Sequence, residues 1–95
     1  MVNYMKSIVM FKEVVDCLNS RFSSHEFIRK FLEKNHKEYA ARLKKQDSVA
    51  LANAEIANYL RNNASELGIK KVGDIESMNI LGHLSICALW EKLGE

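Results

Sequence analysis

The sequence predicts an all-α fold: a compact single domain of four to five helices in bundle-like or orthogonal packing. Apolar residues recur at intervals of three and four residues along most of the chain, which is the helical period. Capping side chains and glycines lie where these periodic segments begin and end. Two-residue alternation, the mark of a strand, never lasts long. A chain of 95 residues is therefore expected to form one helical domain over residues 1–95.

The first helix is predicted from about Asn3 to Asn19. It is expected to end there because asparagine and the following Ser20 compete for backbone hydrogen bonds. Its apolar residues are spaced three or four apart and so lie along one face: Ile8, Phe11, Val15, Leu18 and Phe22.

The second helix has the clearest start signal in the chain. Ser23 and Glu26 have the spacing of a capping box, in which each side chain binds a backbone N–H that would otherwise lack a partner. Phe22 and Phe27 flank them at the spacing of a hydrophobic staple. The buried face is predicted to contain Phe27, Ile28, Phe31 and Leu32.

Asn35 is predicted to divide residues 24–45 into two helices. Asparagine readily takes the left-handed conformation, and Asn35 with Glu38 repeats the capping spacing. The third helix then runs from His36 to about Lys45. One long bent helix over the same residues is the alternative.

The fourth helix is predicted to be continuous from Ser48 to Leu67. Asp47 or Ser48 caps its start, and Gly68 stands just past its end, where a left-handed residue is favoured. Its apolar stripe consists of Val49, Ala52, Ile56, Leu60, Ala64 and Leu67.

The last segment is predicted to be a fifth helix from Asp74 to Leu93, either continuous or divided at Gly82. Nine of the fourteen residues from Ile80 to Leu93 are apolar. At helical spacing they point all round the axis, so the core or another subunit must cover them. The candidate oligomer interface consists of Ile80, Leu84, Ile86, Leu89, Trp90 and Leu93.

This all-round apolar segment favours a small cytoplasmic interaction or assembly protein, of unspecified process, that acts as a homo-oligomer. Cys17 and Cys87 lie in apolar surroundings and are interpreted as reduced, buried thiols, with a single bridge as the alternative. The uninterrupted apolar run Ile8–Phe11 is too short for a signal-peptide core or a membrane span. We therefore expect no association with a membrane. The expected partner is another protein or a second copy of the chain.

The charge distribution supports the alternative function, nucleic-acid binding. The net charge is only +2, but residues 29–45 contain seven Lys/Arg and two Glu, a local +5. Residues 46–95 contain four Lys/Arg and seven Asp/Glu, a local −3. A solvated face is the competing interpretation, because no exposed aromatic series lies among the basic residues. The candidate phosphate contacts are Arg29, Lys30, Lys34, Lys37, Arg42, Lys44 and Lys45.

A helix-turn-helix regulatory protein is a variant of this alternative. A turn at Asn62 and Asn63 would leave too short a helix before Gly68 to lie in a major groove. A reading helix starting at Asp74 would bring Asn79 towards a base edge. Its first turn would also present carboxylates where phosphate should bind, which disfavours this variant.

No catalytic, metal or cofactor site is predicted, and the protein is expected not to be an enzyme. His25, His36 and His83 lie in separate segments with no second ligand at metal spacing. The first two are expected to be solvated and His83 to lie in the core or an interface. The glycines are too far apart to form a phosphate loop, so no small-molecule substrate is indicated.

Overall fold

The computed structural model describes residues 4–94 and has an α+β fold. The three strands form one antiparallel sheet in the order β1-β3-β2. The predicted all-α class and the bundle-like architecture are therefore wrong. In chain order the elements are α1 (Tyr4–Asp16), β1 (Arg21–Ser23), α2 (Ser24–Lys34), α3 (His36–Gln46), α4 (Val49–Asn62), α5 (Ala64–Leu67), β2 (Ile69–Met78) and β3 (Leu84–Lys92).

The helices of the first two thirds follow the local signals. The predicted capping box at the start of α2 is confirmed: the Glu26 backbone N–H donates to Ser23 Oγ at 3.0 Å, and the Ser23 N–H donates to Glu26 Oε1 at 2.8 Å. The rings of Phe22 and Phe27 lie 6.3 Å apart across it. Helix α1 ends at Asp16, three residues earlier than expected, and Phe22 belongs to β1 instead.

The predicted break at Asn35 is confirmed, but its mechanism differs. Asn35 has φ −133°, outside the left-handed region, and its side chain makes no capping hydrogen bond to α3. The left-handed residue is Asp47, at φ 55°, which ends α3. Ser48 Oγ then accepts a hydrogen bond from the Leu51 N–H at 3.2 Å and starts α4, as predicted.

The predicted continuous helix from Ser48 to Leu67 is interrupted at Asn63. The Asn63 side-chain amide donates to the carbonyl of Tyr59 at 2.9 Å and so competes with the helical backbone bonds. A single further turn, α5, follows and ends at Gly68, whose φ of 72° is the left-handed conformation expected there.

Residues beyond Gly68 form a β-hairpin, so the predicted fifth helix from Asp74 to Leu93 is wrong. The strands β2 and β3 pair from Ile69 opposite Lys92 to Met78 opposite Leu84. Gly82, at φ 83°, lies in the turn between them rather than inside a helix. Because Asp74 lies within β2, no reading helix starts there, and the second helix-turn-helix variant is also wrong.

The turn is closed by the side chain of Asn79. Its Oδ1 accepts hydrogen bonds from the backbone N–H groups of Leu81 at 2.9 Å and His83 at 3.1 Å. The Asn79 N–H donates to the carbonyl of His83 at 2.8 Å. Together with the left-handed Gly82, these bonds fix the reversal of the chain.

All three strands lie side by side only at one end of the sheet, which we call its inner end. Strand β1 pairs with the last part of β3, where Phe22 lies opposite Trp90 and Ser23 opposite Leu89. Between Leu84 and Ala88, β3 has β2 as its one strand neighbour among the described residues. The outer half of the hairpin therefore extends beyond the three-stranded region.

The core draws on every element of the fold. Its centre is an aromatic cluster in which the Phe11 ring lies 5.2 Å from both Phe27 and Phe31 and 4.4 Å from Tyr59. The inner end of the sheet covers this core with Trp90, which is 2% exposed. The other buried apolar residues are Val14, Val15, Phe22, Ile28, Tyr39, Ala52, Ile56, Leu60, Leu67 and Ile69.

Candidate interaction surface

The outer half of the hairpin exposes four large aliphatic side chains, which we call the hairpin patch. Their exposed fractions are 51% for Met78, 57% for Leu81, 63% for Leu84 and 73% for Ile86. Met78 lies directly opposite Leu84, and Ile86 follows Leu84 by two residues, so these three side chains share one face of the sheet. Leu81 lies in the adjoining turn.

Helix α2 holds this half of the hairpin in place. The His25 ring lies between two serines opposite each other on β2 and β3: Nδ1 is 2.7 Å from Ser77 Oγ, and Nε2 is 3.3 Å from Ser85 Oγ. Arg29 donates from its guanidinium to the carbonyl of Met78 at 2.7 Å. His25 was expected to be solvated; it is half-buried and bridges the two strands instead. The hairpin patch is thus presented on an anchored support.

A groove lies between the hairpin and α4, and we call it the α4 groove. Its volume is about 370 Å³. The helix side is lined by Ala50, Ala54 and Ala57, which follow each other at intervals of four and three residues and so lie along one line of α4. The facing wall includes Ile80, Leu81 and Ile86, together with the buried Trp90.

Arg61 and Glu76, two charged side chains of opposite sign, lie on α4 and on the hairpin, the two elements between which the groove lies. Arg61 lines the groove and donates to Asn58 Oδ1 on its own helix. Glu76 lies opposite Ile86 on the neighbouring strand and is exposed. Within residues 4–94 neither of these two side chains is in an ion pair.

The structure separates the six residues predicted to form an oligomer interface. Leu84 and Ile86 are in the hairpin patch, and Ile80 is half-buried in the wall of the α4 groove. Trp90 is buried within its own chain, Leu89 is half-buried, and Leu93 is exposed just after β3. Met78, Leu81 and the line of alanines on α4 are not among the interface residues predicted from the sequence.

Four of the seven predicted basic contacts already have partners within the chain. The Arg42 side chain is 13% exposed and lies within ion-pair distance of Glu38 and Glu55, and Lys45 also pairs with Glu55. Arg29 binds Met78, as described above. Lys30 pairs with Glu33 at 2.7 Å, and this hydrogen bond raises the pKa of Lys30 and lowers the pKa of Glu33. Lys34, Lys37 and Lys44 are exposed.

The two cysteines are free thiols, but they are not both buried. Cys17 is exposed just after α1, which contradicts the predicted burial, and Cys87 is half-buried on β3. Cys87 Sγ lies 3.7 Å from Ser77 Oγ, next to the His25 bridge. Across residues 4–94 no group of three or more His, Cys, Asp or Glu side chains is placed to bind a metal ion.

None of the helices within residues 4–94 combines the length and the apolar character needed to cross a bilayer. Comparison of the chain with family models, with curated proteins and with solved structures gives no significant match.

Proposed function

We propose that this protein is a small interaction or assembly protein that binds a second copy of itself through the hairpin patch. The observation that carries the proposal is the grouping of four large aliphatic side chains, each more than half exposed, at one end of an anchored hairpin. A contiguous exposed apolar surface on a small domain is typical of a protein interaction site. The proposed role is binding rather than catalysis, in the cytoplasm.

A second copy suits this surface because the surface contains both a projection and a recess. The hairpin patch stands beside the α4 groove on the same molecule; Arg61 lines the groove, and Glu76 lies opposite Ile86 on the hairpin. A surface that joins to itself across a two-fold axis must present both halves of each contact.

Replacing Ile86 with lysine is expected to weaken self-association at least tenfold. The side chain is 73% exposed in the single chain, so the substitution leaves folding intact. In the pair, each copy would instead place a charge against apolar surface, and burying an isoleucine normally contributes about 1.5–3 kcal/mol. Sedimentation or light scattering across the micromolar range would measure the dissociation constant.

The matched control is Val9→Lys, which changes an apolar residue of α1 that is 55% exposed and lies outside the hairpin. It is expected to associate like the unchanged protein. A strictly monomeric unchanged protein across the same range would refute the proposal. So would an Ile86→Lys protein that associates normally.

Nucleic-acid binding through α2 and α3 is a second candidate, supported by the exposed Lys34, Lys37 and Lys44, which are in no ion pair within residues 4–94. The triple substitution of Lys34, Lys37 and Lys44 by glutamate would then lower affinity for duplex DNA or RNA about a hundredfold at moderate salt. Fluorescence anisotropy with labelled duplexes at several salt concentrations would measure this. Equal binding by the substituted protein would remove this candidate.

A further inference from the structure

We propose that the α4 groove of one copy receives the hairpin patch of a second copy, with Arg61 of each copy paired to Glu76 of the other. This inference rests on the self-association proposed above and specifies its geometry. Leu84 and Met78, which do not line their own groove, would enter the groove of the facing molecule. Leu81 and Ile86, which border the groove of their own copy, would be covered at the same time.

The alanine line explains why the groove can accept side chains from outside. Ala50, Ala54 and Ala57 leave a shallow strip along α4, because a methyl group projects little from a helix. The groove volume of about 370 Å³ is within the usual range for binding pockets. The inserted element is pre-organised, since Asn79 and the His25 bridge already fix the hairpin. Little conformational freedom is therefore lost on binding.

The charges define the relative orientation of the two copies. Arg61 lines the helix side of the groove, and Glu76 lies outside the groove on the hairpin, opposite Ile86. When the hairpin of one copy enters the groove of the other, its Glu76 approaches the side that carries Arg61. A two-fold axis repeats this contact, so a single arrangement satisfies both charges twice and closes as a dimer.

Strand addition along β2 is one competing mode of association, and the sequence of this strand opposes it. Lys70, Lys71, Asp74 and Glu76 place charges along the strand, and the register shifts between Lys71 and Gly73. Charged side chains and bulges are the features by which edge strands avoid pairing with other chains. Side-chain docking into the groove requires no such pairing.

A charge exchange tests the orientation. Arg61→Glu and Glu76→Arg are each expected to raise the dissociation constant about tenfold, because each brings like charges together at two symmetric places. The double variant, Arg61→Glu with Glu76→Arg, is expected to return to within about threefold of the unchanged protein, since the pairs re-form with reversed sign. Lys44→Glu is the control for a charge reversal outside the site and is expected to have no effect.

Filling the groove tests the docking site independently of charge. Ala54→Trp would occupy the strip that receives Leu84 and is expected to weaken association at least tenfold, whereas Ala41→Trp, an exposed position on α3, should not. Thermal unfolding would verify that both variants fold. A protein that dimerises, but shows no recovery in the double charge variant and no effect of Ala54→Trp, would overturn this inference and leave self-association standing. A monomeric unchanged protein would instead refute self-association itself.

Discussion

Replacing Trp90 with alanine is expected to lower the free energy of unfolding by about 3–5 kcal/mol, as for other large aromatic side chains removed from a core. Trp90 is 2% exposed, and its indole N–H donates to Ser24 Oγ at 2.9 Å. It lies opposite Phe22 and so joins the sheet to the core at the start of α2. Domains of this size are stable by about 5–15 kcal/mol, so the variant would be marginally folded. Chemical denaturation followed by far-UV circular dichroism would measure the loss.

Trp90→Phe separates the packing contribution from the hydrogen bond. The phenyl ring retains most of the buried apolar surface but leaves the buried Ser24 hydroxyl without its donor, which predicts a smaller loss of about 1–3 kcal/mol. Because the same chain covers Trp90, both losses should be present at concentrations where the protein is monomeric. A Trp90→Ala protein within about 0.5 kcal/mol of the unchanged one would contradict the packing of the sheet against the core.

The helical part of the fold could be predicted because its signals are local. Ser23 with Glu26, Ser48 and Gly68 act through hydrogen bonds or backbone conformations within a few residues of themselves. These signals therefore predict helix ends without any knowledge of the rest of the molecule. Asn63 shows the limit of this reasoning, since its side chain ended α4 within a stripe of apolar residues that continued without a gap.

The hairpin could not be recognised in the same way, because its strands are defined by their pairing. Between Ile80 and Leu93 the apolar residues are so dense that helical and strand periods fit equally well. The prediction that this segment is covered on every side depended on a helical conformation. It is wrong because the segment is not helical. Trp90 is covered by its own chain, but Leu84 and Ile86 are among the most exposed apolar residues described.

The candidate site was accessible from the sequence only in part. The apolar character of Leu84 and Ile86 predicts an interface role from the sequence, and this character is the same in a helix and in a strand. The α4 groove has no sequence signature, because alanines at helical spacing are equally typical of a buried helix face. Their position opposite the hairpin depends on contacts between residues more than twenty positions apart.

Replacing Arg42 with alanine is expected to lower the free energy of unfolding by about 3 kcal/mol. The sequence predicts instead that this residue belongs to a basic surface. Its guanidinium lies over the rings of Phe11 and Phe31, with centroid distances of 5.9 Å and 5.8 Å. Its nitrogens are 3.4 Å from Glu38 Oε2 and 3.3 Å from Glu55 Oε1. The substitution removes the aromatic contacts and the ion pairs of Arg42 with Glu38 and Glu55, so that Lys45 is the ion-pair partner that Glu55 keeps.

Arg42→Lys keeps the charge but loses the planar contact with the rings, so we expect an intermediate loss. Lys34→Ala and Lys44→Ala, at exposed positions, should change stability by less than about 0.5 kcal/mol. Denaturant titrations of the four variants would rank them, and equal stability for Arg42→Ala and Lys34→Ala would show that Arg42 is a surface residue after all.

If the expected ranking holds, Arg42 supports the fold, and weaker nucleic-acid binding by an Arg42 variant would reflect unfolding rather than a lost phosphate contact. The lysine reversals are therefore the valid test of the basic surface.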